Sequence, residues 1–137
     1  MITTRTDYSA GQTKLLGLAS ITDADLEKAE QEVFMCVFAG VTYNEVDGLT
    51  NDNPLKALFA RILVPFVFCQ FCRNRNAYLK LQGQVTETAT AYGSTTTSRL
   101  LEVWNTGVQL GGAVFEGNKS LFVAEFAGVD FIAKIKL

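Results

Sequence analysis

The sequence predicts a mainly α protein: a helical bundle around one long central apolar helix, with a small β element and extended terminal arms. Three observations predict it. Leu26, Ala29, Val33, Val37 and Phe38 recur at helical spacing behind a capping threonine, with acids on the opposite side. The stretch from Leu55 to Gln82 holds no glycine and is apolar nearly all round from Leu58 to Cys72, the pattern of a helix covered on most sides. Val129, Phe131, Ala133, Ile135 and Leu137 fall at alternate positions, the period of a half-buried strand.

With 137 residues the chain divides into an N-terminal arm at 1–20, a helical body at 21–117 and a C-terminal strand or tail at 118–137. The arm is rich in threonine, serine and glycine. Only Leu15-Leu16-Gly17-Leu18 offers it something to dock with, and fraying is the alternative. Thr22 is a good N-cap for the first helix, and Asp23, Asp25 and Glu27 suit the positive end of its dipole. Gly40 is the expected stop. A short helix from Tyr43 to Asp47 ends at Gly48.

Asn53 and Pro54 open the long helix as cap and first residue. Pro65 lacks the N–H that would bond the Arg61 carbonyl, so a kink or break is expected there. At Arg73-Asn74-Arg75-Asn76 the character turns polar, and the helix leaves the core to end near Gly83. Gln84 to Tyr92 alternates threonine with Val85, Glu87, Ala89 and Ala91, which reads as a short strand or extended loop. A further helix spans about Ser98 to Phe115, with Leu100, Leu101, Trp104, Val108 and Phe115 on its apolar side. Gly107, Gly111 and Gly112 each cost that helix about 1 kcal/mol relative to alanine. Either something packs close to the backbone there or the helix ends earlier. After a turn at 116–119, the strand-like tail is free to pair with 84–92 or with a neighbouring subunit.

The composition is 48% hydrophobic and 19% charged, against about 25% charged in a typical soluble domain. That balance implies a rich core and apolar surface at interfaces. A net charge of −2 gives no global signal for nucleic acid. The first residues lack the apolar run of a secretory leader. The longest uninterrupted apolar run, Ile62 to Cys69, falls short of the ~20 residues of a bilayer span. A chain made in the cytoplasm with reduced thiols and no membrane partner is expected.

Histidine is absent, which removes the commonest general base and metal ligand. Cys69-Gln70-Phe71-Cys72 is a single CxxC inside an apolar helix. Only Cys36 remains to add to it, so these cysteines read as small core hydrophobes and no metal or cofactor is expected. The acids at Asp23, Asp25, Glu27, Glu30 and Glu32 read as a solvated helix face. Arg73, Arg75 and Lys80, interleaved with Tyr78, admit three readings: a solvated helix end, a contact with the acidic first helix of an adjacent subunit, or a phosphate-binding patch. No catalytic set emerges. The candidate interface residues are Leu15, Leu16, Arg73, Arg75, Phe131 and Ile135.

An acidic-faced helix (23–39), a polar link to a long apolar helix at Asn53-Pro54 that leaves the core at Arg73-Asn74-Arg75, and a threonine-rich segment (84–92) leading into another helix form an ordered pattern. In that order the chain resembles the head–tail connector (adaptor or head-completion) proteins of tailed bacteriophages. The resemblance covers roughly 21–116. It implies a virion structural protein without catalysis, forming a homo-oligomeric ring, commonly dodecameric. Its implied partners are the portal, an adjacent connector or tail protein, and DNA passing through the channel without sequence-specific binding. The rival readings are another virion or tail-completion protein, and a small nucleic-acid-binding module using Arg73, Arg75 and Lys80.

Overall fold

The computed structural model describes residues 1–81 and 97–136. It is mainly helical. Helices α1 (Asp23–Val37), α2 (Tyr43–Asp47), α3 (Pro54–Leu81), α4 (Thr97–Gly117) and α5 (Lys119–Glu125) are joined by a two-stranded antiparallel sheet of β1 (Phe38–Ala39) and β2 (Asp130–Phe131). α3 is central: α1 and α4 each pack against it far more than against any other element.

Local chemistry sets the helix starts. The Thr22 hydroxyl accepts from the Asp25 amide at 3.2 Å. Thr42 and Glu45 form a reciprocal capping box on α2. The Asn53 side chain accepts from the Leu55 amide at 2.9 Å ahead of Pro54. α3 runs through Pro65 as one helix rather than dividing there. The face of α4 explains its glycines. A Cβ on Gly107 would lie 2.9 Å from the Pro65 side chain, and one on Gly111 would lie 2.8 Å from the Phe131 ring. Close packing, not an early helix end, is why α4 carries Gly107 and Gly111; Gly112 meets only ordinary contact, 3.9 Å from the Phe131 ring.

Pro54–Ala77 of α3 is long and apolar enough, by length and composition, to cross a membrane, a window that the uninterrupted-run criterion overlooks. More than half of that window, 56%, is buried inside the fold, as in a core helix. The core is strongly aromatic. Phe59 meets Phe38 at 4.9 Å and Phe122 at 5.0 Å, both edge-on, and Phe66 meets Trp104 edge-on at 4.8 Å. Such pairs add about 0.5–1.5 kcal/mol each beyond their burial.

Three expectations need correction. Residues 1–20 do not form an extended arm. They fold into 3₁₀ turns at Arg5–Tyr8, Gly11–Thr13 and Leu18–Ser20, and bury Ile2, Tyr8 and Leu15. The stretch from 121 is not one strand. Lys119–Glu125 is helical, burying Phe122, and the alternation survives only in Val129, Phe131 and Ala133, which are buried. β2 pairs with β1, Phe131 opposite Phe38. The expected strand at 84–92 lies outside the described residues. Lastly, α1 ends at Val37, before Gly40, because Phe38 and Ala39 turn extended to meet β2.

Candidate assembly surface

The acidic face of α1 is not uniformly solvated. Asp23, Asp25 and Glu32 are exposed, but Glu30 is fully buried. Its carboxylate accepts from the Ile2 amide, from the Thr3 amide at 2.9 Å, from the Thr3 hydroxyl, and from the Tyr43 hydroxyl at 2.7 Å. A buried carboxylate is tolerable when hydrogen bonds satisfy it. Here the donors come from the N-terminal segment and α2, so one side chain ties three parts of the chain together. Burial and the nearby carboxylate hold the Tyr43 hydroxyl well above the usual tyrosine range. Burial does the same to Tyr8, whose hydroxyl donates to Thr3.

Further polar ties hold the same segment. Arg5 donates to the carbonyls of Ile21 and Leu18 and pairs with Asp23 at 3.1 Å. Arg99 of α4 donates to the Gln12 carbonyl at 2.8 Å, and Arg75 of α3 to the Leu16 carbonyl at 2.9 Å. Lys56, also buried, donates to the Asp47 and Leu49 carbonyls and to Asn51, closing the link between α2 and α3.

The six residues expected at an interface separate into two groups. Leu15 and Phe131 are buried in their own chain. Leu15 seats the N-terminal segment, and Phe131 fills the space left by Gly111, between Phe38, Phe66 and Phe115. Arg75 is half-buried, with its guanidinium 4.7 Å from the Phe71 ring centroid, and burial lowers its pKa. It therefore acts within the chain. Leu16, Arg73 and Ile135 remain at the surface, Ile135 at 78% exposure. The side chain of Lys80 lies outside the described residues. Sequence reasoning missed Met35, also 78% exposed, together with Leu110, Leu121 and Ile132. Met35 was legible as an apolar residue off the buried stripe of α1.

Cys69 and Cys72 are buried, and Cys69 donates to the Leu100 carbonyl at 3.4 Å. Burial pushes the Cys69 thiol up to about 12, so at neutral pH it stays protonated and a poor nucleophile. Cys36 is exposed. Thiol titration of the native chain is expected to give one fast-reacting group, rising to three on unfolding. Three fast groups in the native state would contradict this packing. Among the described residues, no three or more His, Cys, Asp or Glu side chains gather to hold a metal.

What the arrangement offers is a filled core with apolar side chains left outside it. Met35 and Ile132 lie near the sheet: the Ile132 amide donates to the Val37 carbonyl. Leu101, Trp104 and Ile135 lie along α4. Compared with known proteins, the chain matches no family model, no curated protein and no solved structure.

Proposed function

We propose that this chain is a non-catalytic assembly subunit: a structural component of a tailed-phage head–tail connector, forming a homo-oligomeric ring between portal and tail. One observation carries the reading. The core is already full of phenylalanine, yet Leu16, Met35, Leu110, Leu121 and Ile135 remain more than half exposed. Apolar surface left outside a complete core favours association. In this reading α1, α3 and α4 form a bundle whose outer faces meet neighbouring copies. The chain is made in the host cytoplasm and resides in the virion. The in-chain bonds of Arg75 weigh against the nucleic-acid alternative, because that guanidinium is already engaged.

The test is native mass spectrometry with electron microscopy of the purified chain, alone and with its portal. Closed rings of many copies are expected. A monomer that persists with portal present would overturn the reading.

A further inference from the structure

Helix α3 packs against α1, α4 and the 3₁₀ turns at Arg5–Tyr8 and Gly11–Thr13. One strip of it stays open. From Lys56 to Pro65 it lines a groove of about 790 Å³, whose other wall is the N-terminal segment at Ile2, Thr4 and Asp7. That length of helix spans roughly 14 Å, room for about four extended residues. Ala57 is exposed, and Ala60 and Val64 are half-buried. The two alanines present only methyl groups, so a second backbone can come close to α3.

The charges in the groove do not balance. Lys56 is 8% exposed, and its ammonium donates to three neutral oxygens, the Asp47 and Leu49 carbonyls and the Asn51 side chain. Its hydrogen bonds are satisfied, but its charge has no carboxylate partner. Arg61 is exposed, and among the described residues no hydrogen bond or ion pair holds its guanidinium. The one acid of the lining, Asp7, accepts from the Thr4 amide at 2.8 Å and the Thr4 hydroxyl at 3.2 Å, and pairs with neither cation. The Met1 ammonium at the same rim is already paired with Asp47 at 2.7 Å. Pro65 adds an acceptor. It offers no N–H to the Arg61 carbonyl, and both residues line the groove.

We propose that this groove takes an extended acidic segment of a partner polypeptide. An aspartate or glutamate of that segment meets Arg61, a backbone N–H donates to the Arg61 carbonyl, and small apolar side chains lie on Ala57, Ala60 and Val64. A carboxylate suits the guanidinium fork, and the excess positive charge disfavours a basic segment. A polypeptide fits better than a small molecule because the apolar floor and the polar groups are strung along more than two turns of helix. The contact does not depend on whether copies of the chain close into a ring.

Selection of a random peptide library on the full chain tests it, with the Arg61→Gln chain as the counter-screen. Arg61→Gln alters a side chain that its own fold does not use, so an unchanged melting temperature is expected. A lowered one would overturn the premise. The enriched peptides are expected to carry an aspartate or glutamate. By calorimetry, replacing that acid with its amide and Arg61→Gln should each weaken binding about tenfold, and the two together little more than either alone. No enrichment, enrichment of peptides without an acid, or equal binding to the Arg61→Gln chain would overturn the proposal. If Arg61→Gln changes the oligomeric state of the chain itself on native mass spectrometry, the occupant is a second copy and the partner proposed here is wrong.

Discussion

Replacing Gly40 with alanine is expected to destabilise the fold by about 2–5 kcal/mol, from two independent causes. Gly40 has φ of +77°, a left-handed conformation that costs other L-residues about 1–2 kcal/mol. A Cβ there would also lie 1.8 Å from the Gly128 carbonyl oxygen, a backbone atom that no side-chain rotation can move aside. Forced overpacking adds roughly 1–3 kcal/mol. The displaced strand is β2, which carries Phe131, so the damage reaches the ring seated against Gly111. Urea unfolding followed by circular dichroism measures the loss. Gly17 is the internal control: its φ is +69° but nothing lies within 4 Å of its Cβ position, so Gly17→Ala should cost only the conformational part, about 1–2 kcal/mol. Equal losses at both positions would contradict the close approach of Gly40 to Gly128.

Glu30→Ala is expected to cost about as much by a different route. Deleting the carboxylate leaves the Ile2 and Thr3 amides buried without their acceptor. Unsatisfied buried groups cost about 1–3 kcal/mol each, so a loss of roughly 2–6 kcal/mol is expected for the two amides. Glu30→Gln separates charge from shape. It keeps an acceptor oxygen but puts an NH₂ against donors, so it should recover only part of the loss. Hydrogen exchange gives the location: the amides of residues 2 and 3 should lose protection first in both variants. Unchanged protection at these amides would mean that the N-terminal segment is held by its apolar residues alone.

These two sites mark where the sequence was readable and where it was not. Helix starts were legible because the chemistry is local. Thr22, Thr42 with Glu45, and Asn53 before Pro54 each bond amides within three residues of themselves. The buried stripe of α1 and the apolar α3 were legible by period. Glu30 was not, because its donors lie 27 and 28 residues upstream and 13 downstream, and it stands in a run of acids that otherwise suits a helix start. The N-terminal segment was misread for the same reason. Few of its residues are apolar, and its anchorage comes from carbonyls bonded by Arg75 and Arg99 far along the chain. Helix α5 was missed because its seven residues are too short to establish a period before the strand-like alternation begins. The interface residues divided similarly. Phe131 looks like any exposed apolar candidate until the fold supplies Gly111 and the aromatic cluster to receive it, and Leu15 until the N-terminal segment folds back on the body.

Trp104 is the sole tryptophan of the chain. It sits edge-on to Phe66 and half-buried, with its indole N–H held by a backbone oxygen near the C-terminus. The molecule thus contains its own optical probe. Its ultraviolet emission reports from one known place, shifting to the red when the last residues detach and water reaches the ring, and to the blue when something dry covers them. Events at that end of the molecule are therefore visible without any attached dye.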